Sequence, residues 1–235
     1  MASIKEVKSR IASVTSTQQI TKAMKMVAAA KLRRAQDRII QMRPYSKKLS
    51  AILQNVSSDN DSDVSNPFAE SRAAEKILLV VITSDKGLCG PFNSNVFKAT
   101  AQSIAEKYAE ASRNGNITIM PIGKRSLDFY RKRSKNSVND YGMLFSSLSF
   151  EPVREAAEHA MDGFLDGKYD RVELIYNEFK NVATQILRTE QMLPMVPSQG
   201  SEEESGTGTD YIYEPSKAEI IEELIPKSLK LKFYT

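Results

Sequence analysis

The apolar residues near the N-terminus recur at alternating spacings of three and four, which is the a/d pattern of a coiled-coil helix. The stripe fails at Gln18 and Thr21 and then resumes, and an interruption of this kind indicates a change of packing partner. Its members are Ile4, Val7, Ile11, Val14, Leu32, Ala35, Ile39, Met42, Leu49, Leu53 and Val56.

No glycine and only one proline, Pro44, occur between Ser3 and Ser57. The stretch therefore predicts a long N-terminal coiled-coil shaft helix over residues 1–58, about 80 Å in length at 1.5 Å per residue. A single helix cannot bury an apolar stripe against itself, so we expect a second helix or another protein to cover it. Pro44 lacks a backbone N–H donor and is expected to kink or divide the helix.

A different pattern begins after a polar linker, residues 59–76. The run from Lys76 to Thr83 is continuously apolar and rich in β-branched residues, as in a strand buried on both faces. Strands and helices then alternate, which predicts an α/β fold over residues 77–197: a Rossmann-like open sheet with helices on both faces. We predict strands at 76–83, 116–122, 171–179 and 184–193, the last two as a hairpin, helices at 94–112, 124–133 and 152–165, and a weak extended segment at 138–143.

Residues 198–235 form the last predicted segment. It begins with a low-complexity acidic loop, Ser198–Asp210, and continues with two tyrosines in the sequence Tyr211-Ile-Tyr-Glu-Pro215. A short helix is predicted over Lys217–Leu224, ending before Pro226.

Charge is divided unevenly along the chain. Residues 1–50 carry twelve basic and two acidic side chains, a formal charge of +10, whereas the other 185 residues carry 21 basic and 27 acidic ones, a charge of −6.

Hydrophobic residues make up 41% of the chain, enough for a core, and no apolar run approaches the roughly 18 residues of a membrane span. The single cysteine, Cys89, excludes an intramolecular disulfide. These features predict a soluble, intracellular protein whose two parts have different partners.

The turn after the first predicted strand, Ser84-Asp-Lys-Gly-Leu-Cys-Gly90, is where a dinucleotide or phosphate loop would lie. Its sequence matches neither G-x-G-x-x-G nor G-x-x-x-x-G-K-[ST]. A structural turn is therefore favoured, with a phosphate site or a protein contact as the alternatives. Its residues are Asp85, Lys86, Gly87, Cys89 and Gly90. Cys89 is expected to be a small packed residue, with a reactive thiol beside Lys86 as the alternative.

The sequence shows no arrangement typical of catalysis. His159, the only histidine, lies in a predicted helix and is expected to be a solvated surface residue. No nucleophile–base set and no metal-ligand spacing stands out. The sequence therefore offers no candidate catalytic, cofactor-binding or metal-binding residues.

The middle of the N-terminal helix, Thr21–Gln36, combines small residues with cations. Three interpretations stay open: a solvated basic helix, a rod that runs through an acidic or polar collar, and a nucleic-acid-binding helix. The apolar stripe and the lack of aromatic residues before Tyr45 count against nucleic acid. The candidate contact residues are Lys22, Met24, Lys25, Lys31, Arg33 and Arg34.

Three motifs together resemble those of the gamma subunit of F-type ATP synthases, in bacterial form. They are KSRIASVTSTQQITKAMKMVAAAKLRRAQ near the N-terminus, SDKGLCG after the buried strand, and YIYEPS followed by IIEELIP. The first is highly specific and the other two moderately so, and the resemblance covers essentially the whole chain in the expected order. The rival hypothesis is a nucleic-acid-binding or coiled-coil adaptor protein with a basic helical arm.

The resemblance implies a non-catalytic rotor shaft at the centre of the proton-translocating complex. The N-terminal helix would stand inside a hexamer of alpha and beta subunits, and the sheet domain would sit on the membrane ring of c subunits beside the epsilon subunit. Proton flow would turn the ring and the shaft, which drives the beta subunits through their nucleotide-binding states. The resemblance implies no nucleic-acid partner. It implies membrane association only through the complex, on the cytoplasmic face of the bacterial plasma membrane or the matrix or stromal side in an organelle.

The resemblance also assigns contact residues by position. The basic segment around Lys22, Met24 and Lys25 falls where the family's shaft faces acidic lever segments of the catalytic subunits, and the ring-facing positions are Tyr211, Tyr213 and Glu214. Lys86 is a departure, because the family usually has arginine there and lysine lacks its planar fork. The family also continues into a long C-terminal helix, the partner of the N-terminal one, whereas this sequence stops at Thr235. We expect such a form to assemble but to transmit torque poorly.

Overall fold

The computed structural model describes residues 3–58, 66–181, 184–195 and 217–234. The acidic loop and the predicted ring-facing residues Tyr211, Tyr213 and Glu214 lie outside the described residues. The chain divides into two compact units, residues 1–54 and residues 55–234, the second of which is called the sheet unit below. The helices are α1 Ile4–Ser58, α2 Phe92–Lys107, α3 Ala109–Arg113, α4 Lys124–Tyr130, α5 Phe150–Leu165 and α6 Lys217–Tyr234, and the strands are β1 Ile77–Ile82, β2 Ile117–Ile122, β3 Arg171–Phe179 and β4 Gln185–Leu193.

The predicted N-terminal helix is confirmed: α1 is one helix of 55 residues. Pro44 lies inside it, so the alternative in which this residue divides the helix is wrong. A proline in a helix removes the N–H that the carbonyl four residues earlier would accept. Here that carbonyl belongs to Ile40, and both residues are exposed, so water is available to replace the lost donor.

Four strands form one sheet in the order β2-β1-β3-β4. β1 pairs in parallel with β2 and with β3, whereas β3 and β4 are antiparallel. The predicted hairpin is therefore confirmed, and β3 has the predicted bounds. β1 is central, and its residues Ile77 to Val81 are all 0% exposed, as the continuous apolar run predicts.

Helices cover both faces of this sheet, as predicted. On one face, Ile77, Leu79 and Val81 of β1 share a buried cluster with residues of α2, α3 and α4. The alternate residues of β1 point the other way and are equally buried. α5 contacts β3 and contributes no residue to the first cluster. The predicted α/β fold class is thus confirmed.

Two predictions between the strands are wrong in detail. The predicted helix over 94–112 is two helices, because the backbone breaks at Tyr108 with φ −124° and ψ 29°. The predicted extended segment over 138–143 is a turn. Only Ser137 makes a bridge to β2, at Ile119, flanked by hydrogen bonds from Ile119 N to Asn136 O at 3.1 Å and from Val138 N to Ile119 O at 2.9 Å. This segment runs beside β2 for a few residues and then turns away.

α6 passes through Pro226 and continues to Tyr234, so the predicted short helix ending before Pro226 is wrong. Ile225, Leu229 and Phe233 recur every four residues and are 6%, 2% and 8% exposed. This apolar stripe packs α6 on the sheet unit, where it contacts α5. Tertiary burial therefore outweighs the one helix hydrogen bond that proline removes.

Candidate functional site

The basic segment of α1 presents all six of its candidate residues to solvent. Met24 is 65% exposed. At about 100° of rotation per residue, the five cations point in several directions around the helix axis. No carboxylate of the described residues forms an ion pair with any of these five cations. The segment therefore carries positive charge that the described part of the chain does not neutralise.

A shallow, open groove runs along α1 where the apolar stripe is interrupted, and its wall is lined by Val14, Thr17, Gln18, Thr21, Lys22 and Lys25. Threonine hydroxyls in this region are satisfied within the helix: Thr17 donates to Ser13 O at 2.9 Å and Thr21 to Thr17 O at 2.8 Å. These hydroxyls already donate to carbonyls of α1 and need no external acceptor. The groups that the groove presents to a neighbouring chain are therefore mainly methyl groups and cations.

Sequence reasoning missed three apolar residues of the same segment. Ile20, Met26 and Val27 are 60%, 60% and 58% exposed, close to the value for Met24. Because these residues lie off the a/d stripe, the apolar pattern of the sequence does not single them out. Only Met26 carries a signal in the sequence, since two methionines amid lysines, Met24 and Met26, offer adaptable apolar contacts.

The turn after β1 is tied to the start of α4. Asp85 Oδ1 accepts a hydrogen bond from Lys124 N at 2.9 Å, and Ser84 O accepts one from Arg125 N at 3.2 Å. Thr83 Oγ1 accepts one from Ser126 N at 2.8 Å. These three hydrogen bonds join the end of β1 and the turn after it to the first residues of α4. These contacts are those expected of a structural turn that joins neighbouring elements of the sheet unit.

The tip of this turn projects into solvent. Leu88 has φ +61° and is fully exposed, and Gly90 has φ +59°. Cys89 is also exposed, so the prediction that it packs as a small buried residue is wrong. Its Sγ instead accepts a hydrogen bond from Asn93 Nδ2 at 3.3 Å, and the same Asn93 side chain accepts one from Ser84 N at 3.0 Å. Asn93 thus holds the turn from the first helical turn of α2.

Gly123, at the end of β2, is a structural residue that sequence reasoning missed. Its φ is +93°, and a Cβ built there would lie 2.1 Å from Thr83 O. Only glycine permits this close approach of the ends of β1 and β2. The position of Gly123 between a strand and a helix was the available signal.

His159 is not the solvated residue that was predicted. It is half-buried, its ring meets Tyr141 edge-on at 5.6 Å, and its Nε2 is buried with no hydrogen-bond partner among the described residues. Burial, followed by the charge of Lys168, lowers the pKa of His159, so the neutral ring is favoured. His159 is therefore a packed residue of α5 rather than a solvated one.

The ATP synthase family model matches residues 3–235 of this chain. The ATP synthase gamma chain of Cytophaga hutchinsonii is 53% identical over 235 residues, which cover all of this chain and 80% of that protein. The chain belongs to the ATP synthase gamma chain family. The resemblance seen in the three sequence motifs is thereby confirmed.

Other gamma chains of this family show the same extent of similarity. Those of Flavobacterium johnsoniae and Chlorobaculum parvum are 47% and 45% identical over 234 residues, and the match covers 79% and 80% of their lengths. This chain spans about four fifths of the length of these relatives.

Solved structures support the fold. The central stalk and c-ring of Tetrahymena thermophila mitochondrial ATP synthase contains a similar chain with a TM-score of 0.59 and 22% identity, covering 92% of this chain and 89% of that one. The rotor of Euglena gracilis mitochondrial ATP synthase contains another, with a TM-score of 0.50 and 20% identity, covering 97% and 87%. At these identities the likeness concerns the fold alone. Within the described ranges, no helix is long and apolar enough to span a bilayer, and no group of three His, Cys, Asp or Glu side chains could hold a metal ion.

Proposed function

We propose that the chain is the rotor subunit of the central stalk of an F-type, proton-translocating ATP synthase. It couples rotation of the membrane ring to ATP synthesis or hydrolysis at the beta subunits and makes or breaks no bond itself. Membership of the gamma chain family, at 53% identity to one relative, supports this role.

The observation that carries the proposal is the exposed positive charge of Lys22, Lys25, Lys31, Arg33 and Arg34, which form no ion pair with any described carboxylate. A rod whose cations face carboxylates of a surrounding collar is attracted without being fixed at one angle, which a turning part requires. Each exposed pair contributes only about 0–1 kcal/mol, so no single contact holds the rod in one position. The exposed side chains of Met24, Met26 and Ile20 can adapt to a collar whose surface changes as the rod turns.

The residues proposed for the contact with the alpha and beta subunits are Lys22, Met24, Lys25, Lys31, Arg33 and Arg34. We assign the turn from Asp85 to Gly90 the structural task of joining β1, α2 and α4. Tyr211, Tyr213 and Glu214 remain the proposed contacts with the c subunits, and the epsilon subunit is the proposed neighbour of the sheet unit. The chain is a peripheral part of the membrane complex, and we place it on the cytoplasmic face of a bacterial plasma membrane.

Within the sheet unit, α6 is attached to both a helix and a strand. Lys230 Nζ of α6 lies 2.6 Å from Glu158 Oε1 of α5, and Lys232 Nζ lies 2.7 Å from Glu190 Oε1 of β4. Two ion pairs to different elements oppose sliding of α6 in either direction.

Assembly with purified alpha and beta subunits tests this function. The tagged chain should retain both subunits, and Lys22→Glu with Lys25→Glu should weaken retention. A matched reversal on the sheet unit, Lys98→Glu with Lys132→Glu, changes the net charge equally and should have little effect. Retention of duplex DNA at about 150 mM salt, with a steep salt dependence and no binding of alpha and beta subunits, would instead establish the nucleic-acid hypothesis.

A further inference from the structure

An exposed apolar patch lies on the sheet unit, just before and at the start of α5. It comprises Met143, Phe145, Leu148 and Phe150, which are 47%, 39%, 41% and 42% exposed. Single exposed apolar residues are ordinary on a protein surface, but four large ones within eight positions are not. None of the functions proposed above uses this Met143–Phe150 patch.

The backbone beneath the patch is held in a defined shape. Ser146 N donates to Met143 O at 3.0 Å, and Ser146 Oγ donates to the same carbonyl at 2.7 Å. Leu144, between two patch residues, is only 8% exposed and anchors the segment. At the far end, the Phe150 ring meets Tyr234 of α6 edge-on at 5.6 Å. The patch is therefore a preformed surface and needs little ordering to bind a partner.

The charges that flank the patch are mainly acidic. Asp140 precedes it, and Glu151 and Glu155 follow it in the first turns of α5. Arg154 Nη2 lies 2.5 Å from Glu151 Oε1, and Arg154 Nε lies 3.8 Å from Glu158 Oε1. The one positive charge of Arg154 is therefore shared between two carboxylates. Asp140 and Glu155 form no ion pair with any described residue, and these two carboxylates, which precede and follow the patch in sequence, are called the acidic rim below.

We propose that the Met143–Phe150 patch docks an amphipathic helix of another subunit, with an apolar stripe bordered by lysine or arginine residues. Apolar side chains at helical spacing would cover the four patch residues, and the basic border would face Asp140 and Glu155. The acidic rim disfavours an anionic membrane surface, and it also disfavours a second copy of this patch, because either would bring negative charges together. The inference rests on the proposed assembly of this chain with other subunits and goes beyond it by assigning a surface of the sheet unit.

Photocrosslinking in the assembled complex tests the proposal. Phe145 is replaced by benzoylphenylalanine, an aromatic side chain of similar character, and the chain is irradiated in its native complex and analysed by peptide mass spectrometry. Leu165, which is 40% exposed at the other end of α5, carries the same probe as the matched control. We expect position 145, several-fold more than position 165, to crosslink to a segment with helical apolar spacing and an excess of lysine and arginine.

A charge variant separates docking from accidental proximity. Asp140→Lys with Glu155→Lys should reduce the crosslink at position 145 by about three-fold or more, since each exposed charge pair changes binding by a modest factor. Asp166→Lys, an exposed acid at the end of α5, should leave it unchanged. Thermal unfolding of each free variant checks that the sheet unit still folds.

Equal crosslinking at positions 145 and 165, or a crosslink to a second copy of this chain, to an acidic segment or to a strand, would overturn the proposal. Retention of alpha and beta subunits is measured separately, so failure here leaves the rotor assignment standing.

Discussion

The Tyr108 hydroxyl donates a hydrogen bond to Glu173 Oε1 at 2.5 Å. Tyr108 stands at the break between α2 and α3, and Glu173, in β3, is 3% exposed. Ser103 Oγ donates to the other carboxylate oxygen at 3.3 Å, and Lys107 Nζ lies 3.6 Å from Oε1. A buried carboxylate is tolerated only with such partners. The break in the helix therefore brings the Tyr108 hydroxyl to Glu173, and this hydrogen bond helps to satisfy the buried carboxylate.

Tyr108→Phe should lower the free energy of unfolding by about 1.5–3 kcal/mol, the usual contribution of a hydrogen bond to a charged group. The ring is retained, so the loss reports the hydroxyl. Urea unfolding at pH 7 measures it. Tyr176→Phe is the matched control, since its hydroxyl donates at a longer 3.1 Å to Glu190, a carboxylate whose side chain is 42% exposed, and solvent screening should leave a smaller contribution of about 1 kcal/mol or less. Equal losses in the two variants would contradict the special role of Glu173.

The same tyrosines make stability depend on pH in the alkaline range. Burial, followed by the hydrogen bond to Glu173, raises the pKa of Tyr108 to about 12, and burial, followed by the charge of Glu190, raises the pKa of Tyr176 to about 12. Both exceed the ordinary value of 10.0, so the folded state holds these protons more tightly than the unfolded state. Their contribution is complete below pH 10 and is lost as the pH rises towards 12. The urea midpoint should fall across this window, and less steeply in Tyr108→Phe; the same slope in both proteins would refute the assignment.

Gly123→Ala should be among the most destabilising substitutions of its size in this protein. The new Cβ would meet Thr83 O at 2.1 Å while φ remains at +93°, so the ends of β1 and β2 must separate. We expect a loss of about 3–5 kcal/mol in the free energy of unfolding. Gly115→Ala, with φ +72° and open space around the added Cβ, isolates the backbone cost and should lose only about 1 kcal/mol. Similar losses at the two positions in urea unfolding would show that the close approach does not matter.

The attachment of α6 depends partly on Glu158. The hydrogen bond from Lys230 lowers the pKa of Glu158 below its ordinary value of 4.5. A lowered pKa means that this contribution is present above pH 4.5 and is lost as the pH falls through the folded-state value. Glu158→Gln should therefore cost about 0.5–1 kcal/mol at pH 7, because the pair is partly screened by water, and the difference from the unsubstituted chain should disappear in acid. Glu223→Gln, which breaks the more exposed pair with Lys227, should have no measurable effect; an equal effect of the two substitutions would argue against a role for Glu158 in holding α6.

The sequence predicted the elements whose signals are local. The continuous apolar run of β1, the hairpin of β3 and β4, and the glycine-free α1 all appear where the pattern places them. Their boundaries follow from residue type, because strand burial and helix breakers act on nearby residues.

The features that sequence reasoning missed depend on contacts between distant residues. The break at Tyr108 is associated with an acid 65 positions away, and α6 persists through Pro226 because its apolar stripe is buried. Cys89 is exposed because Asn93 and Ser84 hold the turn from outside the core. For the site, the cations of α1 could be found from charge alone, whereas the neighbouring apolar residues Ile20 and Val27 could not.

Rotation of the chain inside a complex of alpha and beta subunits tests the central claim most directly. The subunits are fixed to a surface, and a bead is attached to the sheet unit through Lys132→Cys in a Cys89→Ser background, so that only one thiol reacts. A bead attached to an alpha subunit is the control and should stay still. The rotor assignment predicts that the bead on this chain turns in one direction while ATP is hydrolysed, even where the torque is low, and stops when ATP is exhausted. Sustained ATP hydrolysis with that bead stationary would contradict it.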